Sequence, residues 1–427
     1  MIKQTESTAN QKRVEERPVR INVVGLGARD YYHVAAALDA GGQLGKLITD
    51  FYTPNFLRGT IRKRFHPDLD SSSTIHFPIF YLFQILARRF LSTDLARKTQ
   101  RVLIDRAFGF LSAAITYMGC GRAIVYSYYL EGFVLFYKVI GRRPVDLICF
   151  QVHPTSPYVK RQLDRDRALF QSLNGVSHFI VEPEQDQDEE DIASYKDALS
   201  YCSKFICASS ASVRSVELLC PLLPSIVIPY GSKLQARSAV TIRCREKRDP
   251  IRLITVCQLV QRKGMHWAFA AMSSLPKNIQ LRFQWVIVSN SFDNSIMDMA
   301  PDNVKFLSLL SDSEIASELV NADLFVMPSL IEGFGLVYIE SLSVGTPVMY
   351  TAETGAADIC TSGVHGFEVA CSNWQQIADL FCDLAENSAK LHGMRQQCAD
   401  LANEISWDQF HRKLRAACSE SQFLPIN

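Results

Sequence analysis

Apolar residues in this 427-residue chain fall into short β-branched runs separated by longer stretches of helical periodicity. The first run, Ile21-Asn22-Val23-Val24, ends at Gly25-Leu26-Gly27; a helical pattern continues to Leu38, and a second run spans Leu44 to Thr49. Strand, glycine turn, helix and strand make a βαβ unit, so a parallel sheet is expected. From Pro54 to Tyr117 the pattern is helical, with no convincing strand. Expected strands resume at Ala123–Tyr126, Val145–Phe150, Phe205–Ala208 and Ile226–Ile228, with helices at Val134–Ile140 and Tyr158–Leu173. The acidic run Glu184 to Asp191 reads as a solvated helix start.

A second βα series opens at Ile251. Its expected strands are Ile251–Cys257, Phe283–Ser289, Val304–Leu307, Leu324–Met327 and Val348–Tyr350, with helices near Met265–Ser274, Ser313–Val320 and Leu336–Val344. The chain is therefore expected to be α/β, with two Rossmann-like doubly wound domains facing each other across a cleft. Residues 20–232 form the first, with a basic and aromatic helical insertion at about 54–117. Residues 233–250 are a charged linker, 251–405 the second domain, and 406–427 a terminal helix expected to pack back toward the first. Residues 1–19 are polar and expected to be a disordered tail.

Composition changes this picture little. With 48% hydrophobic and 21% charged residues the chain is of globular type, and a net charge of +1 gives no field that would draw nucleic acid. The twelve cysteines include no CxxC pair and no zinc-like Cys/His spacing, so reduced, buried thiols and no metal site are expected. The first twenty residues lack the apolar core of a signal peptide. Phe77–Leu91 is interrupted by Arg88 and Arg89 and falls short of the ~20 apolar residues that cross a bilayer. A cytoplasmic location is the expectation.

The sharpest chemical feature follows strand Leu324–Met327. Pro328-Ser329-Leu330-Ile331-Glu332-Gly333-Phe334-Gly335-Leu336-Val337-Tyr338-Ile339-Glu340 puts a glycine turn between a strand end and a helix start, and Gly345-Thr346-Pro347 stops that helix. Unpaired N–H groups and the positive end of the helix dipole suit a diphosphate there. Glu340 lies about 7–8 Å further along the axis, the reach of a ribose. Glu332 faces the other end of such a ligand. Among Leu336, Val337, Ile339 and Leu342, the Glu340 carboxylate needs a partner. A second basic turn, Gln261-Arg262-Lys263-Gly264, follows strand Ile251–Cys257 and offers a guanidinium fork and an ammonium to the same diphosphate.

In these residues the chain resembles the family-4 type of retaining GT-B glycosyltransferases, the glycosyl transferases group 1, whose mark is Glu, seven residues, Glu in a Glu-Gly-Phe-Gly-Leu setting. Ala322-Asp323 before the strand and Gly363-Val364-His365-Gly366 beyond it extend the likeness. The resemblance implies that Glu332 bonds donor-sugar hydroxyls, Glu340 the ribose, and the Gly333-Phe334-Gly335-Leu336 turn the diphosphate, with Arg262 and Lys263 as countercharges. Gly25 and Gly27 occupy the place of the family's N-terminal glycine loop. His153, after strand Val145–Phe150, faces the cleft and is assigned to the transferred sugar or acceptor. The family's upstream Gly-Arg is here Cys257-Gln258, and Ser232-Lys233 replaces Val-Asp or Val-Asn. The implied reaction moves a sugar from a nucleoside-diphosphate sugar to a saccharide or lipid-linked acceptor with retention, without a metal or other cofactor. The Asp-x-Asp pairs Asp68/Asp70, Asp164/Asp166 and Asp186/Asp188 read as solvated acids.

Other readings remain at this point. Gly25-Leu26-Gly27 with Asp50 imitates a nicotinamide-dinucleotide fingerprint, although Asp30 stands where its third glycine belongs. A sugar-nucleotide epimerase shares the fold, and the substitutions noted above leave room for a catalytically silent partner subunit. The acceptor side is read from residues 54–117, where ten arginines and lysines stand against four aspartates among interleaved aromatics. Such a helical surface can lie on an anionic membrane face.

Overall fold

Among the described residues, thirteen strands form two parallel sheets. The first contains β1 (Ile21–Val24), β2 (Leu44–Thr49), β3 (Thr74–His76), β4 (Arg122–Tyr126), β5 (Asp146–Gln151), β6 (Lys204–Cys207) and β7 (Ser225–Val227), in spatial order 3-2-1-4-5-6-7. The second contains β8 (Ile251–Val256), β9 (Phe283–Val288), β10 (Val304–Leu307), β11 (Leu324–Val326), β12 (Val348–Tyr350) and β13 (Gly366–Glu368), in order 10-9-8-11-12-13. This is a computed structural model; it describes residues 19–27, 30–54, 64–90, 94–174, 179–180, 182, 189–234 and 250–419. The N-terminal tail, nearly all of the linker, most of the acidic run and the Asp186/Asp188 pair fall outside these residues.

Helices cover both faces of each sheet, so the central strands are buried on both sides, as the continuous apolar runs require. All four residues of β1 are buried, as are all three of β11. Strand order reverses between β1 and β4, paired Val23 to Ile124, and again between β8 and β11, paired Leu253 to Leu324. Ligand crevices in open α/β sheets open at such points, outside the carboxyl ends of the strands. Two strands were not expected. β3 lies in the stretch read as strand-free, and β13 follows Gly363-Val364-His365. Each has three residues, too few for alternation to register.

The domains are stitched together by buried polar contacts. Asp166, expected to be solvated, is instead 3% exposed on the helix Ser156–Asn174. Its carboxylate accepts hydrogen bonds from Gln261 Nε2 at 3.0 Å, His266 Nε2 at 3.0 Å, Trp267 Nε1 at 2.6 Å and Ser372 Oγ at 2.6 Å, all from the second domain. Its neighbour Asp164 pairs with Lys160 on the same helix. Asp70 caps the short 3₁₀ turn Ser71–Ser73, and Asp68 is exposed beside His66. Further across the interface, Arg214 reaches Glu353 at 3.1 Å, and Asp358 accepts from Ser210 N at 2.8 Å.

The terminal helix Trp407–Ser419 lies on the first domain. Trp407 stacks on His33, ring centroids 3.7 Å apart, and Lys204 Nζ donates to Ala417 O at 2.8 Å. Gly231 is required where the chain passes beneath this helix, since a Cβ there would lie 2.3 Å from Trp407 N. His33 Nδ1 is 3.0 Å from His411 Nε2 and 3.3 Å from His66 Nε2. Burial, and then the His66 and His411 rings, push His33 down to about 3, and burial lowers His66 and His411 too. A histidine whose folded pKa lies below its unfolded value of ~6.5 leaves the unfolded chain binding more protons, so stability is full above that value and falls as the pH drops. Urea midpoints measured from about pH 7.5 to 5 should therefore decline, and His411→Gln should flatten the decline. An unchanged slope in the variant would remove the cluster as its source.

Candidate active site

The site is built where β8 and β11 end side by side. After β11 the chain turns through Pro328–Gly335 into the helix Leu336–Ser343, whose N-cap Gly335 has φ 81°. A Cβ on Gly335 would sit 2.7 Å from the Tyr338 ring, which is held by a bond from its hydroxyl to Met327 O. Gly333 is needed for a different reason than ligand approach alone. A Cβ there would lie 2.4 Å from Val152 O of the first domain, and Ser209 and Ser212 donate to Gly333 O. The turn is thus wedged against the loop that carries His153.

The basic turn after β8 is a 3₁₀ helix, Gln261–Lys263, closed by Gly264 at φ 68°. A Cβ on Gly264 would lie 2.0 Å from Pro328 O, and Leu330 N donates to Arg262 O at 2.8 Å, so the two turns pack as one unit. Arg262 Nη1 meets Glu332 Oε1 at 2.9 Å, and Lys263 Nζ bonds to the same oxygen. Glu182 of the first domain accepts from Arg262 N at 3.0 Å and Nε at 2.8 Å. Burial works to raise the Glu332 carboxyl, but Lys263, Arg262 and then His153 bring it down to about 2. A Cβ on Gly333 would also lie 3.4 Å from His153 Cα, so the His153 backbone stands against the turn that carries Glu332.

The His153 loop is itself fixed. Gln151 Nε2 donates to His153 O, and Tyr195 donates to Gln151 Oε1 at 2.9 Å. Where the resemblance calls for Gly-Arg, Cys257 lies beside the charged cluster, its thiol pushed up to about 11 by burial, while Gln258 is exposed. Arg262 is the guanidinium that stands at Glu332.

One turn further along the helix, Glu340 is largely buried and faces Lys233 Nζ at 3.7 Å. Burial raises its carboxyl and Lys233 opposes that shift. Lys233, met in the sequence only as a departure, is thus the partner that this carboxylate needed. Ser232 Oγ bonds to Ser343 Oγ at 3.3 Å beside it.

On the opposite wall, a Cβ on Gly25 would lie 2.8 Å from the Tyr126 ring, and Gly27, at φ 74°, donates its N–H to Asp50 at 2.9 Å. Asp50 is also clasped by Arg64 Nη1, at 2.9 Å to each oxygen. Asp30 is buried and accepts from Tyr32 N at 3.2 Å and Val34 N at 2.8 Å at the start of the helix His33–Ala40. Both acids of the imitated dinucleotide fingerprint thus have structural partners. A row of rings, Tyr126, Phe150, Tyr230 and Phe334, spaced 5.0, 6.2 and 5.5 Å, joins the glycine loop to the donor-side turn. Glu182, Ser209, Ser212 and Lys233 complete the site, and no motif marks them. Among the described residues no group of three or more His, Cys, Asp or Glu is arranged to hold a metal ion.

Residues 243–402 match the family described as glycosyl transferases group 1. Over 171 residues the chain is 30% identical to a GDP-mannose-dependent monoacylated alpha-(1-6)-phosphatidylinositol monomannoside mannosyltransferase of Corynebacterium glutamicum, covering 37% of this chain and 44% of that protein. A Mycobacterium tuberculosis glycogen synthase is 27% identical over 40% of this chain and 42% of its own length. The chain thus spans less than half of these relatives. Likeness of fold extends much further. Sucrose-phosphate synthase from Thermosynechococcus elongatus superposes with a TM-score of 0.63 at 16% identity, covering 93% of this chain and 98% of that one. The chain has the GT-B fold, and its C-terminal domain is similar to the group 1 glycosyl transferases.

Proposed function

We propose that this protein transfers a sugar from a nucleoside-diphosphate sugar to a saccharide or lipid-linked acceptor, with retention of anomeric configuration and without a catalytic metal. The observation that carries this reading is the buried Glu332–Arg262–Lys263 cluster at the amino end of the helix Leu336–Ser343. Arg262, Lys263 and the amides of Gly335 and Leu336 neutralise the diphosphate as it leaves, charge stabilisation by groups already in place. Glu340 bonds the ribose. Glu332, held ionised by two cations, suits acceptance of sugar hydroxyls better than proton transfer. His153 lies on the transferred-sugar side, and the loop Gly25–Gly27 borders the acceptor side.

Thermal stabilisation by UDP, GDP, ADP, CMP and NAD tests the donor half, because a ligand bound only to the folded state adds about 2.7 kcal/mol at a hundred times its dissociation constant. One nucleoside diphosphate is expected to raise the melting temperature of the wild type, and Glu340→Ala to lose most of that rise. A flat response to every nucleotide would sink the reading. Once an acceptor is in hand, the product anomer seen by NMR decides retention: an inverted anomer overturns it.

A further inference from the structure

Two successive residues ahead of the helix His33–Ala40, Tyr31 and Tyr32, hold the backbone at φ 54° and 63°. Left-handed backbone is costly for a bulky residue, whereas glycine or asparagine adopts it with less strain. Such strain persists where the surrounding structure over-determines it, and it gathers at ligand sites. Tyr32 supplies the restraint. It is 3% exposed; its N–H donates to Asp30 Oδ1 at 3.2 Å and its hydroxyl to Phe51 O at 3.1 Å, and its ring meets Tyr52 edge-on at 5.2 Å. With Tyr32 locked inward, Tyr31 is turned outward and is 36% exposed.

The Tyr31 ring lies against Lys233, whose ammonium stands 5.8 Å from the ring centroid. The same ammonium is 3.7 Å from Glu340 and 3.4 Å from Asp312, the first residue of the helix Asp312–Asn321. Burial works to lower the Lys233 pKa; Glu340, Tyr31 and Asp312, in that order, oppose it and keep the side chain charged. One ammonium therefore fills the gap between the carboxylate assigned to the ribose and an aromatic ring of the first domain. A buried carboxylate needs such a partner for as long as no ligand supplies one.

We propose that Tyr31 closes the donor site over the nucleoside, with the ribose taking the place that the Lys233 ammonium holds between Glu340 and the ring. The assignment of Glu340 to the ribose rests on the proposed function; the role of Tyr31 goes beyond it. Ribose hydroxyls would donate to Glu340 in place of the ammonium. Lys233 has a second anchor ready in Asp312, which is exposed and already the nearer of its two carboxylates. The ring face packs on the nucleoside by apolar contact, which every base offers, so Tyr31 adds affinity without choosing the base. The strained backbone is then the cost of aiming that ring across the cleft.

The test is thermal-shift and calorimetric titration of the full chain with UDP, GDP and ADP, and with inorganic pyrophosphate, which offers a diphosphate without a nucleoside. In Tyr31→Asn, affinity for the nucleotide that binds the wild type is expected to fall about tenfold, the worth of one aromatic contact to a nucleoside. Affinity for pyrophosphate should stay unchanged. The ligand-free melting temperature should hold or rise, because asparagine tolerates the left-handed backbone. Tyr31→Phe keeps the ring and should bind nucleotide as the wild type does. Unchanged nucleotide affinity in Tyr31→Asn overturns the proposal and leaves the proposed function standing. Equal loss of nucleotide and pyrophosphate, or a lower ligand-free melting temperature, also overturns it, because Tyr31 would then serve the fold. A wild type that responds to none of the four ligands overturns the proposed function together with the role of Tyr31.

Discussion

Replacing Glu332 with alanine is expected to lower sugar transfer by about 10²–10³-fold while leaving stabilisation by the nucleoside diphosphate intact or increased. The carboxylate shares Oε1 between Arg262 and Lys263, the two cations assigned to the diphosphate. Without it, both keep their charge and the nucleotide keeps its countercharges. What disappears is the acceptor for sugar hydroxyls and the anion that spaces the cations. Glu340→Ala should do the reverse, weakening nucleotide binding through the ribose. Thermal shift and initial rates, measured on both variants, separate the roles. If Glu332→Ala lost nucleotide binding as fully as Glu340→Ala, the division of labour would be wrong.

The pH behaviour follows from the same contacts. With Glu332 held at about 2, its ion pairs contribute stability that is present above the ordinary carboxylate pKa of ~4.3 and lost as pH falls through the folded value. Glu332→Gln, which keeps the shape and removes the charge, should therefore lose part of the wild type's sensitivity in that acid window. It should leave no new acid limb in the rate profile near neutrality.

The second large effect concerns stability. Asp166→Ala is expected to cost about 3–5 kcal/mol, the range seen when one member of a buried charged network is removed. Four donors from the second domain converge on this carboxylate, and Trp267 Nε1 and Gln261 Nε2 would be left buried with fewer acceptors. Burial tends to raise the Asp166 carboxyl; His266 and the hydrogen bonds from Gln261 and Ser372 outweigh it and hold the carboxyl below its usual range. Asp166→Asn should fall between, because its amide turns a donor toward donors. Denaturant midpoints give the cost, and small-angle scattering reports whether the domains separate. A loss under about 1 kcal/mol would show that the helix Ser156–Asn174 is anchored by its apolar contacts instead.

Much of this protein was legible in its local pattern. Strands such as Ile251–Val256 and Leu324–Val326 are buried on both faces and so appear as unbroken apolar runs. The turn from Pro328 to Gly335 declares itself because Gly335 must take a left-handed conformation at the helix start, and Gly345, at φ 80°, ends the helix. A lone carboxylate among Leu336, Val337, Ile339 and Leu342 announces that it needs a partner. These are short-range demands, and neighbouring residues carry them.

Which partners meet those demands was decided by the tertiary structure. Lys233 reaches Glu340 across 107 positions, Glu182 reaches Arg262 across 80, and Asp166 reaches His266 across 100. In sequence Lys233 is a departure from a pattern, Asp166 one acid in an Asp-x-Asp pair on a polar helix, and Glu182 has no motif at all. His33, His66 and His411 likewise share one cluster from three separate stretches of chain. Periodicity reports how a residue faces its own element. The pairing of buried charges depends on how elements pack, because a carboxylate withdrawn from water is stable only where the fold delivers donors to it.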